Sequence, residues 1–261
     1  MQLVVSARGT HVTISPKVHP EYTENYLRHF PKVAAFHTVS KALETEVASY
    51  GVAPAVIHTV YSGLHLSDFP FQNKTKTTEV LRILSIGRPH WVKGYSYAID
   101  AMQLLKQEGF PFSYTIIGME ASEELLFLRA QSGLESCVHF QPSKSSAQVL
   151  EALQQADVLL LPSVEEGIAN VVLEAMALGT LVVTTDCGGM TEVIIDGENG
   201  FVVPIRQPQA MAKALKNVAA LAVTDYQQLT QSARQTIEER FTEKQMVASM
   251  QQLYHSLAPL V

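Results

Sequence analysis

Two carboxylates spaced eight positions apart are the first residues of this chain that could do chemistry. Glu166 lies in a polar turn after an apolar run, and Glu174 lies in the helix predicted after that turn. A carboxylate ahead of a helix N-terminus can accept hydrogen bonds from sugar hydroxyls while the helix amides bind phosphate. A second carboxylate two turns along can hold the paired hydroxyls of a ribose. The ordinary alternative is a capping acid followed by a solvated helix residue.

Two cations follow an earlier predicted strand, Val80–Ile86. Arg88 comes almost directly after that strand, and Lys93 lies just before the next predicted helix. A guanidinium can bind two phosphate oxygens at once, and a lysine supplies a mobile point charge, so the pair suits a diphosphate. The ordinary alternative is a solvated arginine and lysine in a loop.

The glutamates belong to a stretch, Leu159–Pro204, whose pattern predicts strand, turn, helix, strand, loop, helix, turn and short strand. The apolar runs Val158–Leu161 and Leu181–Thr184 are typical of parallel strands buried on both faces. Asn170 is expected to cap a helix over Val171–Leu178. Ligands of open α/β sheets bind beyond the carboxyl ends of the strands, which is where the turn with the first glutamate lies.

The rest of the chain alternates strands with helices. Further strands are predicted over Leu3–Ser6, Val33–Val39, Val56–Tyr61, Ser113–Ile117 and Val138–Phe140. Further helices are predicted over Glu21–Phe30, Lys41–Tyr50 (capped by Ser40), Tyr95–Gln107, Glu123–Gln131, Ala147–Gln155, Gln209–Leu221, Tyr226–Arg240 and Thr242–Leu257. This alternation predicts right-handed βαβ units and a doubly wound parallel α/β fold. The polar segment Gln72–Thr78 is the predicted linker between two units.

Composition narrows the function. The 261 residues, 47% hydrophobic and 17% charged, are enough for a substantial core and one or two domains. A net charge of −6 without a basic stripe argues against nucleic-acid binding. Cys137 and Cys187 lie in apolar surroundings and are predicted to be reduced core residues of a cytosolic protein. No apolar run approaches the about 20 residues of a membrane span, and no secretion signal precedes the first strand.

The strings around these residues resemble the donor-binding signature of glycosyltransferase family 4, the group 1 glycosyl transferases. The match includes the Glu–seven residues–Glu spacing, EG at 166–167, LEAMALG at 173–179, the Gly188–Gly189 pair with Glu192, and DG..G.VV at 196–203. The string SIGRPHWVKGYSYAIDAM resembles the family's strand-GR…KG-helix motif. The resemblance implies a GT-B fold, in which two Rossmann-like domains face each other.

The resemblance also implies an activity: transfer of a sugar from a nucleotide-diphosphate-sugar donor to an acceptor hydroxyl with retention of configuration. Arg88 and Lys93 would bind the pyrophosphate, Glu166 the sugar hydroxyls and Glu174 the ribose. The backbone of four more residues would line sugar and phosphate: Gly167, Ile168, Ala169 and Asn170. Neither a metal nor a cofactor is expected, and the chain contains no Asp-x-Asp. The implied partners are a nucleotide sugar and a carbohydrate or lipid-linked acceptor, in polysaccharide biosynthesis at a cytoplasmic or membrane-peripheral location.

By the same resemblance, residues 1–72 match the later part of the N-terminal domain and lack its first part. Residues 73–240 match the donor-binding domain, and 241–261 form a C-terminal helix expected to cross back to the N-terminal domain. Arg8 stands where many relatives have a histidine that contacts the donor sugar. His11, three residues on, is a second candidate for that contact, although a histidine in a loop is more often merely solvated.

Two departures from the family pattern bear on the site. The chain has Glu166-Gly167-Ile168-Ala169 where EGFG is common, so Ala169 must have ordinary dihedral angles. Met119-Glu120 replaces an acidic residue and a glycine near the nucleotide. The alternative function is nucleotide-sugar binding without turnover. A GT-B-like epimerase would lack the LEAMALG string, and a nicotinamide dehydrogenase is disfavoured because no G-x-G-x-x-G follows a strand.

Overall fold

Two parallel sheets organise the computed structural model, which describes residues 2–75, 79–119 and 122–257. The smaller sheet has the order β1-β2-β3, and the larger has the order β6-β5-β4-β7-β8-β9. Their strands are β1 (Val4–Ala7), β2 (Ala35–Thr38), β3 (Ile57–Thr59), β4 (Leu81–Ile86), β5 (Phe112–Ile117), β6 (Val138–Gln141), β7 (Val158–Leu161), β8 (Leu181–Thr185) and β9 (Phe201–Val203). Neighbouring strands pair in parallel, as the alternation predicts.

Helices connect most of the strands and cover both faces of the larger sheet. They are α1 (Thr10–Thr13), α2 (Ser15–Val18), α3 (Pro20–His29), α4 (Lys41–Ser49), α5 (Tyr95–Gln107), α6 (Glu123–Gln131), α7 (Ser146–Gln155), α8 (Asn170–Leu178), α9 (Pro208–Ala220), α10 (Val223–Arg240) and α11 (Glu243–Ser256). The predicted cap at Ser40 is confirmed, because its hydroxyl accepts a hydrogen bond from the Leu43 amide. A serine there satisfies an amide that the first helical turn leaves without a partner.

The larger sheet has a switch point between β4 and β7. From β4 the chain winds outward through β5 and β6, and it then returns to the other side of β4 and winds outward through β7, β8 and β9. The central pair is held in register by Ile83 opposite Val158 and Leu84 opposite Leu159. Crevices at the carboxyl ends of strands on either side of such a point are the usual ligand sites of doubly wound sheets.

Strand β7 is buried along its whole length, as its continuous apolar run predicts. Leu160 belongs to the core under α5 and α9, together with Met102 and Met211. Leu159 belongs to the core on the opposite face, together with residues of α8 and α10 such as Met176. Successive side chains of a strand point to opposite faces, so this one strand anchors both cores.

Two stretches of the chain differ from the elements predicted for them. Residues 10–18, where no helix is predicted, form α1 and α2, and Pro16 is tolerated because it lies in the first turn of α2. The second helix predicted within Leu159–Pro204 is only a single 3₁₀ turn, Met190–Glu192. The chain cannot continue as a helix there because a bridge between Asp196 and Gly200 closes a tight turn soon afterwards.

The segment that leaves the smaller sheet packs against the larger one. Leu64 and Phe69 contact the core beneath α8. The Leu64 amide donates to the carbonyl of Phe241 at 2.8 Å, and its carbonyl accepts from the Glu243 amide at 2.9 Å, where α11 begins. The predicted division at residue 72 and the crossing-back helix stay predictions.

The first residues of the predicted linker are held along the larger sheet, and its residues 76–78 lie outside the described part of the chain. The Gln72 amide donates to the Leu178 carbonyl at 3.1 Å. The Lys74 ammonium donates to the carbonyls of Leu153 and Ala156 at 2.8 and 3.0 Å. These carbonyls end α7, where a positive charge is favoured by the helix dipole.

Neither cysteine forms a disulfide: Cys137 is half-buried and Cys187 is buried, and both are free thiols. Burial raises the pKa of the Cys187 thiol to about 12, so it stays protonated and unreactive. Across residues 2–75, 79–119 and 122–257, no helix is both long and apolar enough to cross a membrane.

Candidate functional site

The loops after β4 and β7 come together at the switch point and form the candidate site. Gly94 ends the first loop with φ +66°, and a Cβ there would lie 2.0 Å from the carbonyl oxygen of Pro162. Only glycine fits this left-handed position against the second loop. The Val164 amide also donates to the Val92 carbonyl at 2.8 Å. The two loops are therefore fixed on each other through backbone contacts.

Lys93 and Glu166, predicted as parts of one site, form a direct ion pair. The Lys93 ammonium lies 2.5 Å from Glu166 Oε1, and the Ser163 hydroxyl donates to the same oxygen at 2.9 Å. The two charged side chains are 22% and 15% exposed. Partial burial strengthens the attraction of such a pair, and the serine satisfies a further lone pair of the carboxylate. The pairing itself was not predicted from the sequence.

Arg88 lies on the first loop, where its side chain is exposed to solvent. The loop therefore carries one cation held by a carboxylate and one that faces water. A polyanion such as a diphosphate would gain from both: a bidentate contact from the guanidinium and a point charge from the ammonium. The carboxylate of Glu166 lies beside the same ammonium and can accept hydrogen bonds from hydroxyls of the same ligand.

Helix α8, which follows the loop that carries Glu166, begins one residue earlier than predicted. Ala169 is the N-cap of α8, with φ −78° and ψ 117°, so its dihedral angles are ordinary and the EGIA departure is accommodated. Asn170, predicted as the cap, is the first helical residue, and that prediction is wrong. A side chain already inside the helix points back along the preceding turn and does not face the amides it would cap. Glu174 is half-buried one turn on, and burial raises the pKa of its carboxyl.

The buried residue Gly167 connects the site to the smaller sheet. A Cβ at this position would lie 2.9 Å from Val39 Cγ2 and 3.2 Å from the Arg8 carbonyl oxygen. The backbone at Arg8 therefore contacts the loop that carries Glu166, although the Arg8 side chain is exposed. His11 lies on α1, where its carbonyl accepts a hydrogen bond from a tyrosine hydroxyl at 3.0 Å. The buried Ile168 packs into the core beneath α8.

Three hydroxyl residues near the ion pair were not singled out from the sequence. Ser163 binds Glu166, and the Thr185 hydroxyl donates to the Ser163 carbonyl at 2.5 Å. Tyr95 is buried beside Gly87, and burial and the nearby Glu166 raise the pKa of its phenol, so it stays neutral. A serine three positions before a glutamate has the spacing of a capping box. That signal could have identified Ser163. The contact of Thr185 with Ser163 could not have been predicted in this way, because it depends on which strands are neighbours in the sheet.

A cavity of about 160 Å³ opens beside the first loop, lined by residues that include Trp91, Tyr97 and Arg206. Neither Lys93 nor Glu166 lines this cavity, so the ion pair lies outside it. Within the part of the chain that the structure describes, no group of three or more histidine, cysteine or acidic side chains could hold a metal ion. Of the Met119-Glu120 pair predicted to lie near the nucleotide, Glu120 lies outside the described residues.

Parallel sheets with charged loops at the switch point define a Rossmann-like α/β protein, and solved structures identify the type. The crystal structure of HepE from Anabaena with UDP-glucose matches with a TM-score of 0.82, covering 98% of this chain and 72% of that one at 19% identity. A glycosyltransferase from Rickettsia africae matches with a TM-score of 0.82 at 18% identity, covering 99% of this chain and 71% of the other. The fold is the GT-B type, as predicted.

Sequence comparison gives the family. The family described as "Glycosyl transferases group 1" matches residues 68–236, and the chain belongs to it. The amylovoran biosynthesis glycosyltransferase AmsK of Erwinia amylovora is 29% identical over 245 residues, which are 91% of this chain and 60% of AmsK. The putative colanic acid biosynthesis glycosyltransferase WcaL of Escherichia coli K12 is 29% identical, covering 93% of this chain and 62% of its own length. The chain thus spans about three-fifths of these curated relatives.

Proposed function

We propose that this chain binds a nucleotide-diphosphate sugar and transfers its sugar to an acceptor hydroxyl with retention of anomeric configuration. The observation that carries the proposal is the Lys93–Glu166 pair at the carboxyl ends of β4 and β7, with Arg88 exposed on the same loop as the lysine. Membership of the group 1 glycosyl transferases and the UDP-glucose complex of HepE, a structural neighbour, support a nucleotide-sugar donor. Among such donors, a uridine nucleotide is the first to test.

Each side chain has a proposed role in this reaction. Arg88 and Lys93 neutralise the diphosphate as its bond to the sugar breaks, which stabilises the charge that develops on the leaving group. Glu166 orients the sugar through its hydroxyls, and Glu174 holds the ribose. The backbone amides at Ile168–Asn170 line sugar and phosphate. For retention, the acceptor hydroxyl attacks on the face that the diphosphate leaves, and the diphosphate takes its proton, so the protein contributes positioning and charge.

The acceptor we propose is a growing carbohydrate, free or lipid-linked. AmsK and WcaL are named for the biosynthesis of amylovoran and colanic acid, which supports a polysaccharide setting. The reaction so described needs neither a metal nor a cofactor, because two cationic side chains are available for the diphosphate. A lipid-linked acceptor would bring the protein to a membrane surface without a spanning helix.

The proposal is tested by calorimetric titration of the 261-residue chain with UDP-glucose, GDP-mannose and ADP-glucose. Lys93→Ala should weaken binding of the preferred donor by a factor of about 10 to 10², because it removes a charged hydrogen-bond donor from the diphosphate. Glu174→Ala should weaken it as well, through the ribose. Lys213→Ala, at an exposed position of α9 in the same unit, is the matched control and should bind normally.

Turnover is measured separately, as UDP released from the donor with water or a carbohydrate mixture as acceptor, and the anomer formed is read by NMR. A product of the same anomeric configuration as the donor supports the retaining reaction. Donor binding without release of UDP would favour the alternative function, nucleotide-sugar binding alone. A folded chain that binds none of the three donors would overturn both.

A further inference from the structure

Glu192 joins the two sheets of the molecule through three hydrogen bonds to its carboxylate. It ends the turn after β8 in the larger unit, whereas two of its donors lie at the start of α4 in the smaller one. Its Oε2 accepts from the Lys41 amide at 2.9 Å, and its Oε1 accepts from the Ala42 amide at 3.0 Å. The Tyr61 hydroxyl donates to Oε2 at 2.9 Å.

This contact has the chemistry of a helix cap supplied from another part of the chain. The first amides of a helix lack partners within it, and the positive end of its dipole favours an anion. Ser40 satisfies the Leu43 amide from within α4, and Glu192 satisfies the two amides before it. Hydrogen bonds to a charged acceptor are about twice as strong as neutral ones, so the carboxylate binds these two amides more strongly than a neutral cap would.

The third donor is held in place by its own surroundings. Tyr61 packs against Phe241, with ring centroids 5.2 Å apart, and the Arg240 guanidinium lies 5.8 Å from the tyrosine ring. Burial, with the bond to Glu192 adding to it, raises the pKa of the Tyr61 phenol to about 12. The phenol therefore remains a hydrogen-bond donor throughout the physiological pH range. The carboxylate is fixed from both of its sides.

The turn that carries Glu192 also contacts the loop of the ion pair. The Gly189 amide donates to the carbonyl of Gly167 at 2.9 Å and to that of Glu166 at 3.3 Å. A Cβ at Gly189 would lie 2.3 Å from the Gly167 carbonyl oxygen and 2.6 Å from Ser40 Cβ. The backbone of this turn is therefore wedged between the cap of α4 and the loop that carries Glu166, with no room for a side chain.

We propose that Glu192 is a positioning residue that fixes the smaller sheet, and with it Arg8, against the loop that carries Glu166. The geometry supports this because one carboxylate holds α4 in orientation while the residues just before it are bonded to that loop. The inference rests on the proposed function for its catalytic consequence. A reaction that needs groups from both units depends on their relative placement, and a displacement of about 1 Å can cost a factor of about 10² in rate.

Amide hydrogen exchange tests the placement without any assumption about activity. In Glu192→Ala, exchange should become faster at Lys41 and Ala42, which lose their acceptor, and also at Gly189, whose own acceptors are untouched by the substitution. Glu192→Gln, which keeps one acceptor oxygen, should show a smaller effect at the same amides. Glu198→Ala removes an exposed glutamate six positions on and is the matched control. Faster exchange confined to Lys41 and Ala42 would show only a local helix cap and would overturn the proposal.

Kinetics test the catalytic consequence. In Glu192→Ala, kcat for release of UDP from UDP-glucose should fall at least about tenfold, with the KM for the donor changed less than about twofold, because placement is lost and the donor contacts are kept. Tyr61→Phe, which removes one of three hydrogen bonds, should lie between wild type and Glu192→Ala and covers the case in which the latter folds poorly. Unchanged kcat in both variants would overturn the inference.

The two proposals fail in different ways. If the wild-type chain releases no UDP and binds no donor, the proposed function fails, and the exchange pattern at Gly189 still decides whether Glu192 positions the two units. If the wild-type chain turns over and the exchange effect stays local, the function stands and the positioning role is rejected.

Discussion

Two ion pairs join the same two central strands, one at each end of the larger sheet. Beside the amino ends of β4 and β7, the Arg82 guanidinium donates to both oxygens of Asp157, at 3.1 and 2.8 Å, and the Arg82 amide donates to one of them at 2.8 Å. The Asp157 side chain is 2% exposed. Beyond the carboxyl ends, Lys93 meets Glu166 through a single hydrogen bond of 2.5 Å.

The difference separates a pair built into the sheet from a pair held between two loops. Arg82 lies within β4 and binds Asp157 with its side chain and its backbone, so separating the two would also disturb the sheet. Lys93 and Glu166 lie on loops, and their bond can be exchanged for a ligand without breaking any strand pairing. Strands of a parallel sheet end in loops at the carboxyl edge, where side chains converge from different parts of the chain. Similar pairs of charges are therefore held in different ways at the two edges, and the proposed function assigns a ligand only to the pair on the loops.

The largest expected effect is a loss of stability on substitution of Arg82, at the amino end of β4, compared with substitution of Arg88, just beyond its carboxyl end. Arg82→Ala should lower the free energy of unfolding by about 3 kcal/mol, because a nearly buried carboxylate loses both of its guanidinium hydrogen bonds. Urea denaturation measures this, and the donor affinity of the folded variant should be unchanged. Arg88→Ala is the matched variant: its unfolding free energy should change by less than about 0.5 kcal/mol, as for other exposed positions, while donor affinity falls. A loss of donor affinity without a loss of stability in Arg82→Ala, or a loss of stability without a loss of affinity in Arg88→Ala, would contradict this difference between the two edges.

A smaller effect is expected from the serine that supports the second pair. Ser163→Ala removes one hydrogen bond to the Glu166 carboxylate and should cost about 1 kcal/mol, or about a fivefold loss of donor affinity. The measurement is calorimetric titration with the donor that the wild-type chain prefers. Ser136→Ala, an exposed serine in the same unit, should bind like the wild type. Equal affinities in the two variants would mean that Glu166 needs no support from this hydroxyl.

The smallest effect concerns pH. Burial raises the pKa of Glu174 above the ordinary value of 4.5, so this acid takes up a proton at a higher pH than an exposed glutamate does. Only the ionised carboxylate can accept hydrogen bonds from both ribose hydroxyls. UDP-glucose affinity should therefore fall as the pH is lowered, and it should be reduced about twofold at the raised pKa, where half the molecules are protonated. Titrations over a pH series should show the fall in wild type and a flat profile in Glu174→Gln. A fall that persists in this variant would place the titrating group elsewhere.

Local features of the fold and the site were predictable because their causes lie within a few residues. The apolar run of β7 determined a strand buried on both faces, and Ser40 determined the start of α4. The positions of Arg88, Lys93, Glu166 and Glu174 after their strands predicted one charged site. The structure pairs Lys93 with Glu166, and the places of Arg88 and Glu174 in that site stay predictions. The cap assigned to Asn170 was wrong because the helix starts one residue earlier than predicted. The path of the preceding loop sets that starting residue, and the starting residue decides which side chain faces the free amides.

What the sequence by itself determined is most of the strands and helices and the kinds of charge that follow them. The tertiary structure decided which charges meet. Lys93 and Glu166 are 73 residues apart and touch because β4 and β7 are neighbours in the sheet. Glu192 is 151 residues from Lys41 and reaches its amide because two sheets pack together. Helix and strand propensities and helix caps depend on a few neighbouring residues. Strand order and packing instead depend on how the whole chain buries its apolar surface, so they cannot be read from any single segment.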